Sequence, residues 1–262
     1  MAAPRPLLSI VVPAFNEALR LPRSLDVLEE YVSNAPLGVE VLIVDDGSTD
    51  GTVGVVEARV QGMPWLRLVR GPHRGKGAAV RAGMLAARGA SRLIADADLS
   101  MPVHEISRFL AALDEGSDVV VGSREGPGAL RVGEPYTRHV MGRLFNGAAR
   151  LLGLAEISDT QCGFKAFTAD AAQQIFSRTT VQRFAFDLEV LSMAYAMGYK
   201  VRAIPIEWHY NADSRVRPFV DSMQMLGDMV RLRWRRGFAT SARVRAMGAT
   251  AVEAAIPDTT WS

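Results

Sequence analysis

The stretch Ser91-Arg92-Leu93-Ile94-Ala95-Asp96-Ala97-Asp98 decides the fold: it is a short apolar run that ends on an Asp-x-Asp pair. Earlier in the chain, Val41-Leu42-Ile43-Val44-Asp45-Asp46 has the same form. Short apolar runs rich in β-branched residues read as buried strands. An open parallel sheet holds its ligand crevice beyond the carboxyl ends of its strands, so acids at two such ends face a ligand rather than a core. An Asp-x-Asp pair offers oxygen ligands to a hard divalent cation, which commonly bridges protein carboxylates and substrate phosphates. The pair therefore points to a nucleotide-diphosphate substrate. Asp is also a frequent turn former and helix cap, so the motif alone admits a purely structural reading.

Working outward, strands are expected at 8–12, 39–44, 66–69, 92–95 and 119–121, with helical stretches between them. Asn16-Glu17 opens a helix running toward Tyr31, with Leu21, Leu25, Leu28 and Val32 as its apolar stripe. A helix over 75–88 carries Ala78, Ala79, Ala82, Leu85 and Ala86, small enough to lie close against a sheet. Pro102 starts a further helix at a favoured first-turn position. The Gly- and Pro-bearing stretch 126–133 reads as a mobile loop, and 248–262 is weakly patterned. Strands alternating with helices predict an α/β chain with a mainly parallel sheet flanked by helices.

With 262 residues, 48% of them apolar, the chain can bury one substantial core. Cys162 is the single cysteine, which excludes an internal disulfide and fits a reducing, cytoplasmic setting. It reads as packed rather than reactive, because no histidine adjoins it in sequence. No apolar run is long enough to cross a bilayer and the start has no secretory pattern, so a soluble or peripheral chain is expected. Net charge is +2, but 215–245 holds eight Arg and two Asp. There Phe219, Met223, Leu226 and Val230 fall at helical spacing ahead of Arg231-Leu232-Arg233-Trp234-Arg235-Arg236. This reads as a C-terminal amphipathic helix at a membrane surface, or as a packed helix with a solvated basic face. Nucleic acid is disfavoured, since few aromatics interleave the basic residues and the rest of the chain is acidic.

Four motifs occur in order: Ile10-Val11-Val12-Pro13-Ala14-Phe15-Asn16-Glu17, Val44-Asp45-Asp46-Gly47-Ser48-Thr49-Asp50-Gly51, Gly75-Lys76-Gly77-Ala78-Ala79 and Asp96-Ala97-Asp98. Together they resemble family 2 glycosyltransferases of the GT-A fold. Asp159-Thr160-Gln161-Cys162-Gly163-Phe164-Lys165 and Phe184-Ala185-Phe186-Asp187-Leu188-Glu189 are similar to the branch that glucosylates dolichyl phosphate. The resemblance implies a nucleotide-sugar-binding half over 1–125, an acceptor half over 126–213, and a basic helical segment with a tail over 214–262. It implies an inverting transfer of a hexose, with UDP-glucose the leading donor and a polyprenyl or dolichyl phosphate the acceptor. A GDP-mannose-dependent mannosyltransferase is the nearest rival. The single cysteine and the basic C-terminal segment together lead to the expectation of a cytoplasmic chain, peripheral at the cytoplasmic membrane face.

The same resemblance places the base or ribose on Asp45 or Asp46, with Pro13, Ala14 and Glu17 completing that pocket. It assigns the divalent ion, Mg²⁺ or Mn²⁺, to Asp98, gives Asp96 the ribose or the metal with Ala97 between them, and puts Asp187 near the sugar. It sets acceptor-phosphate contacts at Ser123-Arg124 and at Arg138. Residue chemistry adds further candidates. Arg74 and Lys76 bracket Gly75 at a helix start, where side chains and free N–H groups both face an anion. Arg215, with Arg217, is a gate over the donor diphosphate. Asp159 is the candidate base if the acceptor is a hydroxyl. An ionised lipid phosphate needs no base, since its second pKa lies near ~6, and Asp159 then positions substrate. Asp187 and Glu189 do not share a helical face; Glu189 reads as a surface residue and Thr49 as an N-cap.

Two other enzyme classes fit less well. Nucleotidyltransferases and dinucleotide-dependent dehydrogenases place a glycine-rich loop after the first strand, where this chain has Pro13-Ala14-Phe15-Asn16-Glu17. A nucleotide-sugar-binding module without catalysis is separated from an enzyme only by turnover.

Overall fold

The computed structural model describes residues 6–151, 157–183 and 185–210, together with 227, 228, 230, 231 and 234; residues 137, 138, 141, 144, 148 and 150 are described by backbone alone. The expected strands are present as β1 (Leu8–Ala14), β2 (Val39–Asp46), β3 (Leu66–Gly71), β4 (Ser91–Ile94) and β5 (Val119–Ser123). They join β7 (Lys165–Thr168) and β8 (Val201–Pro205) in one seven-stranded sheet of order β3-β2-β1-β4-β7-β5-β8. All neighbours run parallel except β7, which is antiparallel to both β4 and β5. A small parallel pair, β6 (Leu130–Val132) with β9 (Glu207–His209), stands beside it.

Each strand feeds both faces of the sheet, which is why the strands read as continuous apolar runs. From β1, Leu8, Ile10 and Val12 join the core under α1 (Leu21–Asn34), α2 (Thr52–Val60) and α4 (Ile106–Asp114), whereas Val11 joins the other. Leu42 and Val44 likewise turn toward α3 (Lys76–Ala86), α6 (Ala169–Phe176) and α7 (Phe186–Ala196), with Val41 and Ile43 opposite. The remaining helix, α5 (Tyr136–Leu151), is tied in by Asn146, whose Oδ1 accepts from Thr160 N and Oγ1 at 3.0 and 2.7 Å.

Several local expectations shift. The first helix begins at Leu21 rather than at Asn16-Glu17, because Asn16 takes a left-handed φ of 55° and Pro22 suits the first turn. Thr49 is not the cap of α2: Asp50 Oδ1 accepts from Thr52 N at 2.9 Å instead. After Pro102 comes a short 3-10 turn, Val103–Glu105, before α4. The 126–133 stretch contains β6, paired residue for residue with β9. Most of the basic 214–262 segment lies outside the described residues. No helix of the described residues is long and apolar enough to cross a membrane.

Order β3-β2-β1-β4 places the reversal of winding between β1 and β4, so the carboxyl ends of β1, β2 and β4 open one crevice. Since β7 runs the other way, its first residue, Lys165, lies at the same edge, opposite Ile94 and Val121.

Close helix-to-sheet contact is testable at two glycines. A Cβ on Gly83 of α3 would stand 2.4 Å from Val11 Cγ1 and 2.7 Å from Val44 Cγ2, whereas one on Gly54 of α2 meets nothing within 4 Å. Gly83→Ala is expected to lower stability by about 1–3 kcal/mol through overpacking, and Gly54→Ala to raise it by about 0.4–1 kcal/mol, both read by denaturant unfolding.

Candidate active site

One side of the crevice is stitched from two loops. Asn16 N donates to Ser48 Oγ at 2.8 Å, Thr49 N donates to Asn16 Oδ1 at 2.8 Å, and Glu17 N donates to Thr52 Oγ1 at 2.7 Å. These bonds hold the Pro13–Glu17 turn against the loop after β2. Pro13 and Ala14 are the last residues of β1 and pair with Val44 and Asp45. The Glu17 carboxylate is occupied by Arg20, at 2.7 Å from Nε.

Asp46, buried at the tip of β2, gathers the loop before α3: Arg74 N donates to its Oδ1 at 2.8 Å and Gly75 N to its Oδ2 at 2.9 Å. His73 Nδ1 lies 2.8 Å from the same Oδ2, and its ring stacks on Phe15 at a centroid distance of 4.0 Å. Gly47 makes this possible, since its φ is 73° and a Cβ there would lie 2.5 Å from His73 N. Asp45 accepts from Ser48 N at 3.2 Å. A cavity of about 280 Å³ opens beside these residues, lined by Asp45, Asp46, Arg70, Arg74, Arg81 and Thr180 among others.

Next along the edge, Lys76 Nζ bonds Asp96 Oδ1 at 2.5 Å. Burial would raise the Asp96 carboxyl, but Lys76, with Lys165 and Arg124 behind it, holds it below the ordinary carboxylate range. Asp96 first, then Asp187 and Asp98, hold the Lys76 ammonium above its ordinary value despite burial. Asp98 is partly exposed and accepts only a 3.1 Å bond from Ser100 N among the contacts described. Ala97 between them is buried, and its carbonyl accepts from Ser24 Oγ at 2.6 Å, which fixes the two acids about it.

Two carboxylates form an incomplete oxygen set. Among the described residues no group of three or more Asp, Glu, His or Cys could hold an ion. The oxygen chemistry of Asp96 and Asp98 suits a hard divalent cation of the kind that keeps several waters and takes substrate phosphates alongside one or two carboxylates.

Further along the edge stands an ion pair between Asp159, fully buried, and Arg124, 16% of whose side chain is exposed. Arg124 grips Asp159 in a fork, Nε to Oδ2 at 2.8 Å and Nη2 to Oδ1 at 2.9 Å, and Arg124 N donates to Oδ2 at 2.9 Å. Burial alone would raise the Asp159 carboxyl; the Arg124 guanidinium and its bonds instead bring it down to about 2. The guanidinium also lies 5.2 Å over the Trp208 ring. Arg131 Nε donates to Arg124 O at 2.8 Å, and Ser123 Oγ to Glu125 O at 2.9 Å. Arg138 is on α5 with its side chain outside what is described, and Arg215 lies outside the described residues. Cys162 is buried, and burial pushes its thiol up to about 11, in keeping with a packed role.

Sequence reasoning did not assign Lys165, Trp208 or Gly163. Lys165 Nζ bonds Asp187 Oδ1 and Cys162 O, both at 2.5 Å, with 1% of its side chain exposed. A charged residue inside the apolar alternation Phe164-Lys165-Ala166-Phe167 was the available signal. Glu189 is buried rather than a surface residue: it accepts from Thr180 N and Val181 N at 2.8 and 2.7 Å and so closes the loop before α7.

Residues 9–176 match the family model described as Glycosyl transferase family 2, and the chain belongs to that family. Its fold is that of GT-A glycosyltransferases. A dolichyl-phosphate beta-glucosyltransferase of Dictyostelium discoideum is 34% identical over 242 residues, 87% of this chain and 74% of the relative. The Homo sapiens protein of the same name is 32% identical over 252 residues, 90% of this chain and 78% of its own. Glucosyl-3-phosphoglycerate synthase from Mycobacterium tuberculosis, solved with Mn²⁺, UDP-glucose and phosphoglyceric acid, superposes with a TM-score of 0.63 at 19% identity, over 87% of this chain and 80% of that one.

The Arg124–Asp159 pair makes a pH prediction. An Asp held at about 2, against an unfolded value near ~3.9, contributes stability that is whole above pH ~4 and is lost as pH falls through the folded value. Denaturant unfolding of the wild type should lose about 2–3 kcal/mol from this pair across that window. Asp159→Asn should abolish that component and, by leaving Arg124 buried without its counter-charge, cost about 3–5 kcal/mol at neutral pH.

Proposed function

We propose that this glycosyltransferase moves glucose from UDP-glucose to dolichyl phosphate or a related polyprenyl phosphate, with inversion at the anomeric carbon. The observation that carries the reading is the placement on one sheet edge of the open carboxylate Asp98, beside Asp96 and Lys76, and of the forked cation Arg124. One group of residues suits a sugar diphosphate and the other suits a phosphate monoester. The names carried by relatives at 32–34% identity supply the sugar and the lipid.

In this reading the uridine lies along Pro13, Ala14, Glu17, Asp45 and Asp46. Asp98, assisted by Asp96, would hold Mg²⁺ or Mn²⁺, which when bound supplies Lewis-acid neutralisation of the departing diphosphate, worth several kcal/mol. Lys76 adds a fixed positive charge at the same place. The acceptor phosphate docks on Arg124, with Ser123 and Arg138. Planar guanidinium groups suit that task because they present paired N–H donors to phosphate oxygens. An acceptor phosphate oxygen attacks the anomeric carbon; the new C–O bond forms as the bond to the UDP oxygen breaks, and the electron pair leaves with UDP. The acceptor is already ionised at neutral pH, since its second pKa is about 6, so no proton moves.

Asp159 then acts as the orienting counter-ion of Arg124. A carboxylate held at about 2 is a poor base at neutral pH. Asp187 fixes the wall near the sugar, and Arg215 closes over the diphosphate. The basic 215–245 segment provides peripheral contact with the cytoplasmic membrane face, where each basic residue adds about 1 kcal/mol near anionic lipid.

Labelled UDP-glucose and GDP-mannose, offered with dolichyl phosphate and Mn²⁺, test the reading. Label from UDP-glucose is expected in the organic phase, reduced about 10²–10³-fold in Asp98→Ala. Transfer from GDP-mannose alone would reassign the sugar. Glucosylation of free dolichol, abolished in Asp159→Asn, would make Asp159 a base and overturn the phosphate acceptor.

A further inference from the structure

The proposed reaction gives no task to Lys165, although this ammonium is buried within the site. Lys165 opens β7 between Ile94 of β4 and Val121 of β5. Its bond to Cys162 O sets the Cys162–Gly163 turn. That turn presses on the metal-side acid: a Cβ on Gly163 would stand 2.0 Å from Asp96 Oδ2. Its bond to Asp187 fixes the first turn of α7, where Phe186 adjoins α3 so closely that a Cβ on Gly77 would lie 2.7 Å from Phe186 Cβ. Gly77 follows Lys76, the cation that holds Asp96 from the other side. Both walls bearing on Asp96 therefore meet at one ammonium.

We propose that Lys165 is a positioning residue for the donor and metal end of the site, bracing the Cys162–Gly163 turn and α7 against Asp96 and Lys76; this rests on the glycosyl-transfer reading above. Simple stabilisation is a weak account of the pair, since a buried ion pair is often no more stable than an apolar pair of the same volume. Asp187 is itself pushed up by burial, only partly offset by Lys165 and then Lys76.

The test compares Asp187→Asn with the double variant Lys165→Met/Asp187→Asn, which leaves no uncompensated charge. Melting temperature, kcat with saturating acceptor, and Mn²⁺ binding in the presence of UDP, read from the electron paramagnetic resonance signal of free Mn²⁺, are measured for each. The double variant is expected to melt no lower than the single one, in which Lys165 is buried without its counter-charge, yet to show a kcat lower by about 10–100-fold, as for a misplacement of about 1 Å, and weaker Mn²⁺ binding. Equal kcat and equal Mn²⁺ binding would make Lys165 a counter-ion only and overturn the proposal. Should the double variant fail to fold, Lys165→Arg decides: charge is kept but geometry is not, so unchanged kcat and Mn²⁺ binding overturn the proposal and a fall in both supports it. If the wild type binds Mn²⁺ with UDP but transfers no glucose, the functional reading fails while the binding comparison still tests Lys165.

Discussion

Carboxylates crowded at one edge of a buried sheet repel one another, and the arrangement of this chain depends on how they are compensated. Asp96 meets Lys76, Asp187 meets Lys165, and Asp159 meets Arg124. Asp46 is compensated by backbone, through the amides of Arg74 and Gly75. The compensation is supplied by different elements: α3 brings Lys76, β7 brings Lys165 and the end of β5 brings Arg124. Elements distant in sequence are thus held at the crevice by charge as well as by the two apolar cores. Asp98 pairs with no side chain among the contacts described; it accepts from Ser100 N and feels the charge of Lys76.

The antiparallel strand β7 makes the compensation possible. A parallel strand in its place would bring its first residue to the opposite edge of the sheet, away from the ligand. Reversal puts Lys165, and the Asp159–Phe164 segment before it, at the carboxyl ends of β4 and β5. The wall around Arg124 and Asp159 and the wall around Asp46 and Lys76 consequently share an edge, although Asp159 and Asp46 are far apart in the chain.

The parts legible in the sequence were those where one physical signal dominated. Strands β1, β2 and β4 are buried on both faces, so their apolar runs are nearly continuous, and acids at the end of β2 and just after β4 fall at one edge of the sheet. The start of α1 was misplaced because Asn16-Glu17 resembles a helix opening, while the left-handed Asn16 uses its side chain to bind the neighbouring loop. The pairing of β6 with β9 is non-local, and three-residue strands carry no periodicity to read. Glu189 was assigned to the surface by its charge, although its carboxylate satisfies two backbone amides of a buried loop. In each case the missing information was a partner distant in sequence.

The pair at Asp159 bears on acceptor chemistry. A general base needs a pKa near the working pH and a lone pair aimed at the acceptor. Asp159 has neither: its oxygens are engaged by the Arg124 fork and by the amides of Arg124 and Gln161. What the pair offers is a guanidinium immobilised by the carboxylate on one side and by Trp208 across its face. Immobilised donors lose little side-chain entropy when they bind an anion, and their charge stays in place because Asp159 remains ionised down to strong acid. In the proposed reaction a guanidinium held in this way suits an acceptor that brings its own negative charge, for which the protein has no need to generate a nucleophile.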